Sequence, residues 1–278
     1  MEIDTLFLSG GGVNCLSFLG SIQQLIHKNI IKHNLKGIKH IVGVSGGILH
    51  IIPLLLGYTI ESTIKLFIEY DYTKLINYHE IMINNLFKEY GAFNNDFIDL
   101  LISVLLKKKG YSKNITLKDF YKINNINLVI KVINISKRKI EYLNYKKTPN
   151  IPLVTAIKMT TCVPLLFRPI KYNNDLYVDG GLCGKFPFEY KKKIKTKKYL
   201  GLRINCNHKN DFNDITDFIS SLFSISFSPY DHIKIKKIID LNHSNSGLYF
   251  NITKDDKIKM IEKGKEGINH LLTQNIIK

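Results

Sequence analysis

The chain has 278 residues, of which 45% are hydrophobic, which is enough to bury a sizeable core and is consistent with one α/β domain over residues 1–278. Its formal net charge of +17 would suit nucleic acid or an anionic membrane, but only three of its 40 basic residues are arginines, and no helix-turn-helix, zinc-finger or RRM pattern occurs. Composition therefore argues against a nucleic-acid partner, and the abundance of Ile, Asn and Lys points to an AT-rich genome.

The first predicted strand, residues 3–8, runs into a glycine loop formed by Gly10, Gly11 and Gly12. A helical stretch over residues 13–27 follows. Glycines at the start of a helix leave backbone N–H groups uncovered, so this loop could hold a phosphate or an oxyanion. A dinucleotide-binding fingerprint would need a third glycine at the position of Cys15, which disfavours a Rossmann site. A glycine-rich turn with no chemical role is the remaining alternative.

The second motif joins a predicted buried strand, residues 38–44, to an apolar helix, residues 48–56, and consists of Gly43-Val44-Ser45-Gly46-Gly47. A strand that turns directly into a helix leaves little room, so the residues two before and two after the tip must lack a Cβ, as Gly43 and Gly47 do. The hydroxyl of Ser45 would then project from the sheet near the positive end of the next helix. That position suits a nucleophile whose attack creates an oxyanion.

Several elements are predicted between this motif and the next. A helix over residues 59–69 has Thr59 as its cap, and residues 72–109 are mainly helical and rich in Ile, Leu and Phe. Within that region, Asn94 or Asn95 is a candidate cap for an apolar helix over residues 97–106. Further along, the pattern predicts a short helix at residues 117–121 and a pair of strands at residues 128–135 and 140–145.

The third motif, Asp179-Gly180-Gly181, follows a predicted strand end at Tyr177-Val178. Taken alone, an aspartate followed by two glycines is usually a turn. Beyond it, the pattern predicts a strand at residues 199–204 and helices at residues 214–227, 229–239 and 255–276. Thr253 is the candidate cap of the last helix, and Gly264 and Gly267 within it would allow close packing.

In this order, the three motifs resemble those of the patatin-like phospholipase family, and the resemblance covers nearly the whole chain. Residues 156–169 resemble the helix and proline-bearing loop that precede the family's aspartate, and residues 56–59 resemble the exit from its nucleophile helix. The resemblance implies a three-layer α/β/α fold with a central, mostly parallel sheet. The helical region at residues 72–109 would then form a lid or an acyl-chain pocket, or simply cover the sheet.

The resemblance also implies a chemistry. Ser45 would be the nucleophile, Asp179 the general base, and the loop of Gly10, Gly11 and Gly12 the oxyanion hole of a metal-independent phospholipase A-type enzyme without a cofactor. Direct proton transfer from Ser45 to a carboxylate requires burial to raise the proton affinity of Asp179. An acyl-serine intermediate would then be hydrolysed by water. The expected partner is a phospholipid or another acyl-ester lipid.

Two departures from the family pattern bear on this expectation. Asn14 and Cys15 stand where family members usually carry a basic residue and a glycine, and Lys185 stands in place of an asparagine. The first change could alter the charge beside the oxyanion hole. An alternative is therefore a catalytically weak module that binds lipid or membranes with the same fold.

A second alternative is an α/β-hydrolase esterase with a Ser-His-Asp triad. Nine histidines are available, and some of those downstream of the serine are candidates, none of them in a recognisable catalytic context: His208, His232, His243 and His270. In α/β-hydrolases several strands precede the nucleophile, whereas one clear strand precedes the strand that carries Ser45 here. The order of the motifs favours the dyad.

The remaining features concern location. Cys15, Cys162, Cys183 and Cys206 show no metal-ligand spacing, and no basic-then-apolar leader is present, which favours a cytoplasmic protein with reduced thiols. Residues 41–58 are long enough to span a membrane, but they contain the Ser45 turn and are assigned to the buried strand and helix. Lysine clusters, the largest within residues 191–198, are solvated faces by default, and one could contact anionic lipid peripherally.

Overall fold

The computed structural model describes residues 3–76, 83–206, 218–219, 221–222, 229–231 and 234–274. Its strands are β1 (Thr5–Leu8), β2 (His40–Gly43), β3 (Gly91–Phe93), β4 (Asn127–Asn134), β5 (Lys139–Leu143), β6 (Leu165–Phe167), β7 (Ile170–Tyr172), β8 (Asp175–Asp179), β9 (Tyr199–Cys206) and β10 (Ile238–His243). Its α-helices are α1 (Leu16–His27), α2 (Gly46–Leu49), α3 (Ile52–Leu55), α4 (Ile60–Glu69), α5 (Ile83–Glu89), α6 (Asp96–Lys108), α7 (Leu117–Asn124), α8 (Leu153–Thr161), α9 (Lys191–Ile194) and α10 (Lys254–Thr273).

The central sheet has the strand order β10-β9-β1-β2-β4-β8-β7, and β5 also pairs with β4. The five strands from β10 to β4 are parallel to one another, whereas β8, β7 and β5 pair antiparallel to their neighbours. Side chains from both faces of β1 are buried: Leu6 and Leu8 belong to one hydrophobic cluster and Phe7 to another. Helices cover a sheet of this kind on both faces. The predicted α/β architecture with a mostly parallel sheet is confirmed.

The close contact between α1 and α10 depends on two glycines. A Cβ at Gly20 would lie 1.8 Å from the carbonyl oxygen of Ile261, and a Cβ at Gly264 would lie 1.8 Å from that of Ser17. The hydroxyl of Ser21 also donates to the carbonyl of Gly264 at 2.9 Å. The predicted close packing at Gly264 is therefore confirmed, because no larger residue fits at this helix crossing.

Most predicted elements are present, with shifted ends. The residues predicted to begin the first helix form a 3₁₀ turn, Gly12–Cys15, ahead of α1. The single helix predicted over residues 48–56 is divided into α2 and α3, with Pro53 in the first turn of α3, where its missing N–H is tolerated. Thr59 and Thr253 cap α4 and α10 as predicted.

The helix predicted over residues 229–239 is wrong. Residues Pro229–Asp231 form a 3₁₀ turn, and Ile238–His243 form β10, which pairs parallel with β9. The spacing of apolar residues in a short run does not distinguish a helix from a strand. Here the segment forms a strand because it can pair with the edge of β9. The helix predicted over residues 214–227 falls almost entirely outside the described residues.

Candidate active site

The topology brings the three sequence motifs to one place. The glycine loop follows β1, and Ser45 follows β2, its parallel neighbour, so both lie at the carboxyl edge of the sheet. Asp179 ends β8, which runs antiparallel to β4, and it pairs with Val132 of that strand. Because β4 pairs with β2 as well as with β8, it holds Ser45 and Asp179 on the same edge.

Ser45 occupies a strained turn. Its φ of 55° and ψ of −134° are unusual for a residue with a side chain, and α2 begins at the next residue. A Cβ at Gly47 would lie 2.3 Å from the carbonyl oxygen of Ser9, and one at Gly46 would lie 2.3 Å from that of Gly12. A Cβ at Gly43 would instead meet a side chain, because it would lie 2.6 Å from the Cδ1 atom of Ile48. The glycines of the motif thus allow the turn to pack against the glycine loop.

The glycine loop lies directly beside Ser45. A Cβ at Gly10 would lie 3.4 Å from the Cβ of Ser45, and Gly12 has a φ of +52°, which favours glycine. The N–H of Gly10 donates to the carbonyl oxygen of Lys185 at 2.8 Å. Across the described ranges, the N–H groups of Gly11 and Gly12 donate to no protein acceptor. These two N–H groups are therefore available to an anionic oxygen atom.

Asp179 is almost completely buried, with 2% of its surface exposed. Burial raises the pKa of Asp179 to about 7, against the opposing effects of the hydrogen bonds from the Ser45 hydroxyl and the Gly181 N–H and of the positive charge of Lys131. The Gly181 N–H lies 2.7 Å from the Asp179 Oδ1 atom. Gly180 is required because its Cβ would lie 2.5 Å from the carbonyl oxygen of Lys131. The carboxyl group can therefore exchange a proton near neutral pH.

Lys131, on β4, connects the segments that carry these groups. Its ammonium is fully buried, donates to the carbonyl oxygens of Cys183 at 3.0 Å and Gly184 at 2.7 Å, and lies 2.9 Å from Oε1 of Glu189. The same carboxylate accepts a hydrogen bond from Tyr142. Lys131 thus fixes the loop that follows Asp179.

Thr160, on α8, connects Lys131 to the turn that carries Ser45. Its hydroxyl accepts a hydrogen bond from the backbone N–H of Ser45 at 2.9 Å and donates to the carbonyl oxygen of Lys131 at 2.7 Å. Both bonds are buried. The backbone of Ser45 is therefore tied through one side chain to the strand next to Asp179.

Two cavities meet at Ser45. One has about 590 Å³ of empty space, which includes space open to solvent, and is lined by Gly10, Gly11, Gly12, Ser45, Val163, Asp179, Gly181, Lys185, Ile204, Cys206, Gly247 and Leu248. The other has about 400 Å³ of empty space on the same measure, is mainly apolar and is lined by Gly12, Val13, Ser45, Gly46, Leu49, His50, Tyr72, Leu75, Phe97, Thr161, Val163, Phe167, Leu248 and Phe250. A long apolar group and a more polar one could therefore lie on opposite sides of the serine.

The two described histidines of the triad alternative, His243 and His270, make their hydrogen bonds away from Ser45. His243 is buried and its Nε2 atom lies 2.9 Å from the hydroxyl of Ser17, whereas His270 contacts Gln274 on the surface of α10. His208 and His232 lie outside the described residues. His50 lines the apolar cavity, but its two ring nitrogens contact the carbonyl of Gly46 and the hydroxyl of Tyr72.

Two of the substitutions noted in the sequence have structural roles. Asn14 is buried, and its amide donates to the carbonyl oxygen of Asn245 at 2.9 Å. Cys15 is buried too, and its thiol contacts the carbonyl of Ser9. Neither residue lines the two cavities. Lys185, by contrast, lines the larger one.

Sequence reasoning missed Lys131, Thr160 and His50 as neighbours of the site. One signal was present for Lys131, which is the single charged residue in an apolar strand and is therefore expected to have buried partners. Thr160 and His50 lie within apolar helical stretches, and only their three-dimensional neighbours distinguish them.

Two observations concern the rest of the molecule. In the part of the chain that the structure describes, no cluster of three or more His, Cys, Asp or Glu side chains has an arrangement suited to a metal ion. Over the same residues, every helix is too short or too polar to cross a bilayer.

The chain is similar to known proteins over most of its length. A family model described as Patatin-like phospholipase matches residues 6–190. Probable lipid hydrolase 463L of Invertebrate iridescent virus 6 is 28% identical over 279 residues, which cover 98% of this chain and 90% of that protein. Uncharacterized protein R571 of Acanthamoeba polyphaga mimivirus is 26% identical, covering 100% of this chain and 95% of that protein.

Solved structures share the fold at lower identity. VipD from Legionella pneumophila superimposes with a TM-score of 0.72 and 17% identity, covering 99% of this chain and 67% of VipD. ExoU from the type III secretion system of Pseudomonas aeruginosa, solved in complex with SpcU, gives a TM-score of 0.53 and 13% identity. The match covers 99% of this chain but only 53% of the ExoU structure.

Proposed function

The chain belongs to the patatin-like phospholipase family, and we propose that it is a lipid acyl hydrolase that cleaves carboxylic esters of phospholipids in a phospholipase A-type reaction. The name of the iridescent virus relative, a probable lipid hydrolase, supports this activity. The observation that carries the proposal is the placement of Ser45 next to a buried aspartate whose pKa is about 7. A carboxylate with its ordinary pKa would be a poor base for a serine hydroxyl.

Ser45 is the nucleophile and Asp179 the general base in this proposal. Asp179 accepts the hydroxyl proton while the Ser45 oxygen bonds to the ester carbonyl carbon, which gives a tetrahedral oxyanion. The C–O bond to the alcohol then breaks, and Asp179 returns the proton to the departing alcohol oxygen. An acyl-Ser45 ester remains. Water then attacks the acyl carbon while Asp179 takes its proton. The bond between that carbon and the Ser45 oxygen breaks, Asp179 returns the proton to the Ser45 oxygen, and the fatty acid is released.

The N–H groups of Gly11 and Gly12 would hold the oxyanion. Both lie beside Ser45 and lack a protein acceptor in the described structure, whereas Gly10 uses its N–H to fix the loop on Lys185. One donor of this kind typically lowers the barrier by about 3–4 kcal/mol. The backbone of Gly12 packs against the backbone of Gly247, which fixes the glycine loop. The two N–H donors therefore need not move when the oxyanion forms.

The apolar cavity provides room for the acyl chain. Leu49, Leu75, Phe97 and Phe167 contribute to its walls, and Ser45 lies at its boundary with the larger cavity. Burying a methylene group contributes about 0.8 kcal/mol, so a chain of several carbons would be held firmly. This arrangement favours a hydrolase over a module that only binds lipid surfaces.

Membrane contact, if it delivers the lipid, would use the carboxyl edge of the sheet. Leu165 and Leu182 are 49% and 38% exposed and lie within two residues in sequence of the cavity residues Val163 and Gly181. The lysine cluster of residues 191–198 precedes β9 and therefore lies at the opposite edge. A contact through that cluster would direct Ser45 away from the lipid.

Fatty-acid release from mixed phospholipid vesicles tests the function. We expect release by the wild type and none above background by folded Ser45→Ala and Asp179→Asn variants. Vesicle binding without release from phospholipids, neutral lipids or short esters would instead support the lipid-binding module. Release by Ser45→Ala near the wild-type rate would remove Ser45 from the reaction.

A further inference from the structure

The two cavities that meet at Ser45 differ in chemistry. An ester bound at Ser45 has an acyl side and an alcohol side. Because the mainly apolar cavity suits the acyl chain, the alcohol part would lie in the larger cavity, which contains Asp179 and Lys185. Apart from the acid proposed as the base, Lys185 is the one Lys, Arg, Asp or Glu among the described residues that line this cavity.

The backbone of Lys185 is fixed on both sides. Its carbonyl oxygen accepts the N–H of Gly10 at 2.8 Å, and its own N–H donates to Oδ2 of Asp231 at 3.0 Å. The other oxygen of the buried Asp231 carboxylate accepts the N–H of Phe186 at 2.8 Å. The side chain of Lys185 therefore starts from a defined point beside the glycine loop, and replacing that side chain leaves these backbone hydrogen bonds intact.

Within the described part of the chain, the ammonium group of Lys185 forms no ion pair. No acidic side chain lies within ion-pair distance of it among the residues that the structure describes, although the buried cations Lys131 and Arg203 pair with Glu189 and Asp240. Lys185 is half-buried and lines the cavity. An unpaired cation in a partly desolvated cavity attracts an anion more strongly than one in open water.

We propose that Lys185 forms an anion subsite on the alcohol side of the cavity and selects acyl esters whose alcohol part carries a phosphate group. This inference rests on the proposed function for the position of the ester. The ammonium would donate to a phosphate oxygen while the acyl chain occupies the apolar cavity. A charged hydrogen bond of this kind strengthens binding by about 10-fold to 100-fold. Neutral glycerides would lack that contact.

Binding of ether lipids tests the subsite without requiring turnover, since an alkyl ether offers no carbonyl to attack. A 1-alkyl-glycerol-3-phosphate and the matching 1-alkyl-glycerol, below their micellar concentrations, are titrated into the wild type and into Lys185→Gln. We expect the wild type to bind the phosphate form about 10-fold to 100-fold more tightly and Lys185→Gln to lose most of that preference. Lys192→Gln, which removes an exposed lysine of α9 outside the cavity wall, should retain it.

Each outcome bears on the subsite separately from catalysis. A phosphate preference that persists in Lys185→Gln, or that is absent from the wild type, would overturn the proposal. Inorganic phosphate alone should not displace the neutral ether; displacement that depends on Lys185 would identify a free-phosphate site and overturn the assignment to a lipid. If the wild type binds as expected but releases no fatty acid from the corresponding esters, the hydrolase function fails and the subsite stands.

Discussion

The backbone N–H of Ser45 and the hydroxyl of Thr160 form a buried hydrogen bond of 2.9 Å. Ser45 is in a strained conformation that requires support from its surroundings. Thr160 supplies that support from α8, a helix far from Ser45 in the sequence. Its hydroxyl in turn donates a hydrogen bond to the carbonyl of Lys131. The turn that carries Ser45 is thus fixed by a side chain that takes no part in the proposed chemistry.

Replacing Thr160 by valine should impair both activity and stability. The substitution keeps the shape but leaves the buried Ser45 N–H without its Thr160 partner, which costs about 1–3 kcal/mol, and it also removes the hydrogen bond to the Lys131 carbonyl. We expect the kcat for ester hydrolysis to fall by about 10-fold to 100-fold because Ser45 moves out of position. Thr160→Ser, which retains the hydroxyl, should restore most of the rate. Equal rates for the valine and serine variants would exclude this role.

The rate should depend on pH through Asp179. The carboxyl must be unprotonated to act as a base, and burial raises its pKa to about 7. We therefore expect kcat/KM to rise as the pH increases through about 7 and then to level off. Asp179→Asn should lower the rate by at least about 100-fold. Its pH profile should also lack the acidic limb, which is the rise of kcat/KM through about pH 7. A wild-type profile that stays flat between about pH 5 and pH 9 would show that a different group is the base.

Lys131→Met should move the acidic limb to higher pH. The positive charge of Lys131 lowers the pKa of Asp179, and its removal takes that effect away. The pH profile of kcat/KM measures the shift, while thermal unfolding controls for loss of structure. Glu189→Gln is the matched variant, because it removes the ion-pair partner but keeps the positive charge, so its limb should not move upward. A Lys131→Met profile that is lower at every pH with an unchanged limb would indicate a structural role alone.

Filling the apolar cavity should shorten the preferred acyl chain. Leu49 lines this cavity, and Leu49→Phe would add volume close to Ser45. We expect kcat/KM for long-chain esters to fall about 10-fold or more relative to short-chain esters, since each misfit of this size is worth about 1–3 kcal/mol. Leu100→Phe on the exposed face of α6 is the control and should leave the ratio unchanged. An unchanged ratio in Leu49→Phe would place the acyl chain elsewhere.

The parts of the fold that depend on local sequence could be predicted. The tight turn at Ser45 predicts that Gly47 lacks a Cβ, and the structure gives the reason, since a Cβ there would lie 2.3 Å from the carbonyl oxygen of Ser9. The sequence predicts Thr253 as the cap of the last helix, and its hydroxyl accepts the N–H of Asp256 in a capping box. Such features involve residues a few positions apart, so the sequence contains the relevant information.

The parts that depend on distant neighbours could not be predicted. Residues 238–243 form a strand because β9 offers them an edge, and their apolar pattern alone did not distinguish a strand from a helix. The two cavities and the contacts of Lys131, Thr160 and Lys185 arise from segments separated by many residues. Motif order led to Ser45, Asp179 and the glycine loop, but it gave no information about the groups that position them.

Covalent labelling distinguishes an activated Ser45 from an inert one. A fluorophosphonate probe reacts with a serine hydroxyl that an adjacent base activates, and digestion followed by mass spectrometry of the peptides locates the adduct. The account predicts that the wild type carries the probe on Ser45, that folded Ser45→Ala is not labelled and that Asp179→Asn reacts far more slowly. No adduct on the folded wild type, or an adduct on a different serine that persists in Ser45→Ala, would contradict it.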